Sequence, residues 1–334
     1  DSITDFLSGT DKLKIALNYS SSTQDLIVTG DVTTGKTSKS AVQDALTGTR
    51  GQATYNTETS QLYVNYNNDN LITSLDYTIG LNAGATALTT VADADIIWNI
   101  TTGSGADTVT GNVGADIIST GTGIDTVFSG RGIDTVQLGA SDGADDIYKL
   151  STQELYSSAT TATSGSVAVD VVSGFEYGAS ADQVEISITA IEALGGVTDL
   201  TDGDGASVTA DSTDIYTDAG DAIYTLGTAA TTVLGITIAG AMTEAVVEAA
   251  LINTGTEDLT SSAAGHSDGD AMLLLVDSTG EASVGTVLAL MVFLSDVNAD
   301  TALTAGTIDI IFLANLGTAD ATGSANTANF DLIA

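Results

Sequence analysis

Short apolar stretches separated by clusters of Gly, Asn, Asp, Ser and Thr run the length of the chain. Val, Ile, Leu and Tyr alternate with Thr and Ser or stand in brief continuous runs, a pattern that predicts strands rather than helices. Residues 26–29, 61–65, 186–188, 231–238, 272–277 and 287–294 carry the clearest examples. Between 102 and 137 the pattern tightens into four nine-residue units: TGSGADTVT, GNVGADIIS, TGTGIDTVF and SGRGIDTVQ. The fourth residue of each is Gly, the sixth is Asp (Asp107, Asp116, Asp125, Asp134), and the eighth is β-branched and apolar (Val109, Ile118, Val127, Val136). A looser fifth copy, with Gly143, Asp145 and Ile147, follows an insertion of two residues. Helix is predicted only in short pieces. These are 41–46 behind Ser40 and 246–251 behind Thr243, with Gly48 and Gly255 beyond their ends, together with 152–157 and 189–194.

Each nonad predicts one short strand and one turn, so two nonads complete a coil. The eighth residues point inward and stack into a core too thin to hold alone. The second places are Gly103, Asn112, Gly121 and Gly130, and the fourth are Gly105, Gly114, Gly123 and Gly132. Gly or Asn there lets a turn take left-handed backbone angles and expose its carbonyls. Successive coils lie about 4.8 Å apart, so a calcium ion needing about six to eight oxygens fits between consecutive turns on one edge. Without the ion the stacked aspartates repel one another, and folding of this segment is expected to be coupled to calcium.

The residues on either side of the nonads share landmarks in one order. Asp5-Phe6…Gly9 and Asp11-Lys-Leu13-Lys-Ile15 match Gly174-Phe175…Gly178 and Asp182-Gln-Val184-Glu-Ile186. Ala41-Val42-Gln-Asp-Ala45-Leu46 matches Val246-Val247-Glu-Ala-Ala250-Leu251, and Asp95-Ile-Ile-Trp98 matches Asp309-Ile-Ile-Phe312. The chain therefore reads as all-β with a few short helices. It comprises a β-rich module over 1–98, a parallel β-roll over 99–148, and a second related module over 149–334 enlarged by Thr- and Ala-rich insertions around 197–240.

Composition sharpens the picture. Forty-four acidic residues against seven basic ones give a formal charge of −37. Such a field repels nucleic acid and anionic lipid and attracts divalent cations. Apolar residues make up 43% and aromatics only 5%, so the cores are built from Val, Ile, Leu and Ala. With no Cys there are neither disulfides nor thiolate metal sites, and with no Pro the turns fall to Gly, Asn and Asp. No apolar run reaches the length of a membrane-spanning helix, so no membrane insertion is expected. The first residue is Asp rather than Met, and an N-terminal part is expected to be missing.

Other chemistry is sparse. The single histidine, His266, lies in SSAAGHSDGD, far from any G-x-S-x-G elbow, and no glycine-rich phosphate loop ends in Lys, so no enzyme is read here. Asp296-Val-Asn298-Ala-Asp300 imitates the start of an EF-hand loop but lacks its later Gly and Glu. Asp202-Gly-Asp204, Asp268-Gly-Asp270 and Asn67-Asn-Asp69-Asn70 read as turns, and Trp98 as a core residue. Asp93 and Asp95 precede the array out of its register, and read either as its start or as a plain loop.

The nonads resemble those of the repeats-in-toxin (RTX) family, and the flanks extend the resemblance. Ile3-Thr-Asp5-Phe6 through Ile15 looks like the segment that follows RTX arrays in secreted proteins, and Asn329-Phe330-Asp331-Leu332-Ile333-Ala334 looks like a type I secretion end. The family's ligand rule takes places two, four and six of one turn with places one, three and six of the turn eighteen residues on. Carried over, it implies one calcium site from Gly103, Gly105 and Asp107 with Thr120, Thr122 and Asp125. A second follows from Asn112, Gly114 and Asp116 with Ser129, Arg131 and Asp134, and a third from Gly121, Gly123 and Asp125 with Asp142 and Asp145. Arg131 is tolerated because only its carbonyl would ligate.

The resemblance further implies export through a type I channel and calcium-driven folding at the bacterial cell surface. With no catalytic domain visible, the chain looks most like a surface-layer protein that self-assembles as a homo-oligomer, with lipopolysaccharide as a conceivable anchor. The alternatives are the C-terminal calcium-folding region of a larger RTX exoenzyme or toxin, and a calcium-dependent adhesin.

Overall fold

The computed structural model describes residues 2–30, 32–36, 49–67, 69, 71, 73, 75–81, 88, 90–139, 142–151, 169–177, 182–192, 215–216, 223–226, 231–238, 242–251, 260–261, 271–278, 286–294, 306–317 and 329–333. The chain is all-β with a few short helices, and it divides into two compact units, Asp1–Gly139 and Ala140–Ala334. That division falls inside the segment 99–148 assigned to the roll.

In the first unit, strands β1 (Ser2–Ile3), β2 (Leu13–Asn18) and β3 (Ile27–Thr29) are followed by β4 (Val32–Lys36), β5 (Ala53–Asn56), β6 (Gln61–Val64) and β7 (Tyr77–Leu81). Then come β8 (Ile96–Thr101), β9 (Thr108–Thr110), β10 (Ile117–Ser119), β11 (Thr126–Phe128) and β12 (Thr135–Gln137). Strands β1, β7, β6, β5 and β4 form one sheet in that order. The remainder form two parallel stacks, β2-β8-β10-β12 and β3-β9-β11.

Every strand of the nonads pairs with the strand two nonads away. Ile118 faces Val136, and Val109 faces Val127, so two nonads make one turn of the coil. The flanking strands continue the same stacks. Ile100 pairs with Ile118 and with Leu17, and Val28 pairs with Val109. The expected boundary at residue 98 therefore runs through β8.

Leu17, Ile100, Ile118 and Val136 form one inward column, Val28, Val109 and Val127 the other, and none of them exceeds 1% exposure. Each such side chain contributes about 1.5–3 kcal/mol on burial, and alternation along three-residue strands leaves room for one inward residue per strand. The flanking strands thus double a core that the nonads alone would leave narrow. Trp98 is fully buried, and its Nε1 donates to Gly30 O at 2.8 Å.

The second unit holds β13 (Ile147–Leu150), β14 (Asp170–Ser173), β15 (Gln183–Ser187), β16 (Ile215–Tyr216), β17 (Ile223–Leu226) and β18 (Thr231–Ile238). They are followed by β19 (Thr260–Ser261), β20 (Ala271–Ser278), β21 (Val287–Phe293), β22 (Ile308–Asn315) and β23 (Phe330–Ile333). Its helices are α1 (Ile188–Glu192) and α2 (Glu244–Leu251). Strands β13, β15 and β23 stack in parallel, and β14-β22-β21-β20-β18-β17 form a mixed sheet. Val247, Ala250 and Leu251 of α2 pack into a core with Leu274, Val276, Ala289 and Phe312. Thr243 caps α2 as expected, its carbonyl accepting from Val246 N and Val247 N at 3.0 Å.

The landmarks matched between the flanks occupy different settings. Asp11 Oδ2 accepts from Leu7 N within an exposed loop, whereas Asp182 is buried. β8 lies between parallel neighbours, whereas β22 pairs antiparallel with β21. The expected helices 41–46 and 152–157, His266, and the Asp-rich turns at 202–204, 268–270 and 296–300 lie outside the described residues. Among the described residues no helix is long and apolar enough to cross a membrane.

Candidate metal centre

Stacking of identical turns brings the first predicted ligand set together. A Cβ added at Gly121 would collide with Gly103 O, and one at Gly123 with Gly105 O. The carbonyls of one turn therefore point at the bare backbone of the turn above. Gly121 has φ +94°, the left-handed region, so both angle and space require glycine there. Thr122 N donates to Gly103 O at 2.9 Å, and the Thr102 hydroxyl donates to Thr120 O.

The second set repeats this geometry: Gly130 lies against Asn112 O and Gly132 against Gly114 O. Left-handed angles occur at Gly121, Gly123, Gly130 and Gly132 but not at Gly103, Gly105 or Gly114, contrary to the expectation for all second and fourth places. The latter three are held instead by close approach, to Ser22 O, Gln24 O and Ile96 O respectively. Ser129 is buried and Arg131 exposed, consistent with a role for its backbone alone.

The four nonad aspartates are buried, none more than 1% exposed, and they form two hydrogen-bonded ladders. In one, Leu26 N donates to Asp107 Oδ1 and Asp107 N to Asp125 Oδ1, both at 2.7 Å. In the other, Trp98 N donates to Asp116 Oδ1 and Asp116 N to Asp134 Oδ1, again at 2.7 Å. Thr126 N and Thr135 N donate to the carbonyls of Asp107 and Asp116. Each carboxylate is thus locked by one oxygen to the backbone of the preceding coil.

The second oxygen sets Asp116 apart from the other three. Asp116 Oδ2 accepts from Asn112 N at 2.8 Å, whereas Asp107 Oδ2 is buried with no hydrogen-bond partner. Oδ2 of Asp125 and of Asp134 are likewise buried without a hydrogen bond, although both residues are engaged through Oδ1. The Thr120 hydroxyl is a further buried oxygen with no partner. A buried carboxylate oxygen with no donor is costly, and a hard cation shared between successive rungs removes that cost. Among the described residues no three His, Cys, Asp or Glu side chains converge, so such an ion would be held by two aspartates with backbone carbonyls. The donor set is all oxygen, as calcium requires.

The side chain of Asn112 serves the fold. Its Nδ2 donates to Asp93 O at 2.9 Å and to Asp93 Oδ1 at 3.0 Å, and its Oδ1 accepts from Gly114 N at 2.7 Å. Asp95 is held by protein donors. It accepts from Ser8 Oγ, Gly9 N and Ala92 N, and Lys12 Nζ lies 3.5 Å away. Burial alone would raise its pKa, but these donors outweigh burial and hold the carboxyl below its usual range.

The fifth copy is corrected by one residue. Tyr148 and Leu150 are the inward side chains of β13, so Asp146, two places before Tyr148, occupies the sixth place. Asp146 is buried and its N donates to Asp182 Oδ1 at 2.9 Å, while Gln183 N donates to Asp146 O at 2.7 Å, the bonding pattern of the nonad rungs. Asp145 is exposed, and Asp142 Oδ1 accepts from Ala144 N at 2.9 Å. A Cβ at Gly143 would meet nothing within 4 Å, unlike the nonad glycines. Burial periodicity, not the Gly-x-Asp spacing, sets this register. The signal available in the sequence was Asp-x-apolar recurring in Asp146-Ile-Tyr148 and Asp182-Gln-Val184.

Asp182 resembles Asp116 and differs from Asp107, Asp125 and Asp134 in its second oxygen, which accepts from Glu176 N at 2.7 Å. Burial pushes its pKa up to about 7, against the lowering effect of the Glu176 and Asp146 N–H groups. Compared with family models, curated proteins and solved structures, the chain has no match.

Proposed function

We propose that the chain is a calcium-dependent, self-assembling structural protein of the bacterial cell surface, of the RTX kind. The observation that carries this reading is Asp107 Oδ2, a buried carboxylate oxygen with no donor, set among stacked turns whose carbonyls point at the backbone of the next turn. Calcium would be held by Gly103, Gly105, Asp107, Thr120, Thr122 and Asp125, and at a second position by Asn112, Gly114, Asp116, Ser129, Arg131 and Asp134. The ion neutralises like charges that the thin core has to bury, so the roll folds where calcium is abundant and stays unfolded where it is scarce.

A charge of −37 keeps copies apart until cations bridge them, which ties assembly to the same ion. Self-association through exposed acidic faces, export by a type I system and an anchor such as lipopolysaccharide belong to this reading. So does the absence of catalysis: the groups with buried, organised oxygens are arranged for a spherical cation rather than for a reacting bond.

Electron microscopy and light scattering of the purified chain, with millimolar calcium and with chelator, test the proposal. Sheets or filaments that form with calcium and disperse on chelation are expected. A chain that stays monomeric in millimolar calcium would sink the assembly claim, and a chain that folds identically with and without the ion would sink the calcium claim.

A further inference from the structure

The connection between β6 and β7 leaves the sheet after Val64 and re-enters it at Tyr77, two residues paired in register. Hairpin connections are usually about 2–5 residues long, so residues 65–76 need a reason. Oxygen-bearing side chains recur along them: Asn65, Asn67, Asp69, Thr73 and Asp76, with Leu71 offering only its carbonyl. Counted from Asn65 these are places one, three, five, nine and twelve, with a backbone carbonyl at seven, the order in which a calcium loop presents its ligands. The sixth and twelfth places, glycine and glutamate in such loops, are Asn70 and Asp76.

Spacing alone would carry nothing, but two buried atoms point to a ligand. Asn65 has no exposed surface, and its Oδ1 has no hydrogen-bond partner; Asn67 Oδ1 is likewise buried and unpartnered. The orientation of each amide is set by what its nitrogen meets. Asn65 Nδ2 donates to Thr49 O at 3.2 Å and Asp69 O at 2.6 Å, and Asn67 Nδ2 donates to Asp69 Oδ2 at 2.8 Å. Turning either amide over would set oxygen against oxygen. The two bare oxygens are therefore fixed where they are.

The carboxylates are fixed too. Asp69 Oδ1 accepts from Leu71 N at 2.8 Å, while Asp76 accepts from Tyr66 N at 3.0 Å and from Thr73 N at 2.8 Å. Each retains lone pairs for a metal. Tyr66, in the second place, stacks on Tyr19 at 4.9 Å between ring centres and meets Tyr77 edge-on at 5.4 Å. Its hydroxyl donates to Asn18 O at 2.6 Å, bracing the start of the loop against the end of β2.

We propose that the described residues between β6 and β7 form a calcium site separate from the nonads, with Asn65, Asn67, Asp69 and Asp76 as side-chain ligands and Leu71 as a carbonyl ligand. Hard neutral oxygens with two carboxylates suit calcium. The low charge places its affinity near the weak extracellular class, about 10⁻⁴–10⁻³ M. The site closes a long hairpin as its ligand arrives.

Terbium(III) titrated into the full chain, with tyrosine excitation, tests the site because Tyr66 lies within it. Sensitised emission displaced by millimolar calcium is expected, and it should fall at least about fivefold in the Asn67→Ala/Asp69→Ala pair. Emission unchanged in that pair would overturn the proposal. Should the pair fail to fold, Asn67→Asp decides: the added carboxylate should tighten calcium competition by about tenfold, and unchanged competition would overturn the site.

Discussion

In the first unit Asp107 N donates to Asp125 Oδ1 at 2.7 Å, and in the second Asp146 N donates to Asp182 Oδ1 at 2.9 Å. The rungs are alike in backbone and opposite in consequence. Asp107 leaves its other oxygen buried without a donor, while Asp182 closes its own with Glu176 N and keeps its proton up to about pH 7. One rung leaves an oxygen that the proposed cation would satisfy, and the other is satisfied by the protein and a proton. The spacing explains part of this: eighteen residues separate the first pair and thirty-six the second. The shorter repeat stacks turn directly on turn, as the collisions at Gly121 and Gly123 show.

Chelation should break the comparison most widely. The amides of Val109 and Val127 are expected to exchange about a thousandfold faster without calcium, whereas that of Val184 should change little, as hydrogen exchange would show. Equal responses in the two regions would remove the distinction. Next comes Asp125→Ala, which strips Asp107 N of its acceptor and costs about 1–3 kcal/mol even without calcium. With calcium at a hundredfold excess over Kd, about 2.7 kcal/mol more is lost per site. Asp125→Asn keeps the acceptor and should lose only the calcium-dependent part, so urea denaturation with and without the ion separates the two contributions.

Gly121→Ala should cost about 2–3 kcal/mol, from steric collision and a left-handed angle together. Gly143→Ala, with an open surrounding but a left-handed angle of its own (φ +73°), should cost about 1–2 kcal/mol, from the angle alone. Comparable denaturation midpoints for the two variants would argue against stacked turns. The last test concerns pH. The folded pKa of Asp182 lies above its unfolded value, so the folded state binds the extra proton. Stability of the second unit is therefore fullest below about pH 4, falls as pH rises towards 7, and levels off beyond. Asp182→Asn should flatten that slope, measured by denaturation at pH 4.5 and 7.5 (about the two ends of the titration).

What could be read from residues alone was the periodic part. Asp at six and an apolar residue at eight predicted Val109, Ile118, Val127 and Val136 as inward, and β18 and β20 follow their apolar runs closely. The rest depended on partners distant in the chain. Nothing local in Leu13–Asn18 says that it stacks on β8, and the Gly143-x-Asp145 spacing masked the Asp146-Ile-Tyr148 signal that turns Tyr148 inward. The loop after β6 read as a plain turn because its ligand spacing becomes meaningful only once Asn65 is known to be buried.

The parallel stack also sets an order of events. Neighbouring nonad rungs close loops of eighteen residues, while β2 reaches β8 across the whole stretch from Leu13 to Ile96. Closing the longer loop costs about 1.4 kcal/mol more in chain entropy, and such non-local pairing slows folding. The nonads are therefore the natural seed: once their charges are quenched they zip locally, and the ends of the stack dock afterwards onto a surface already formed.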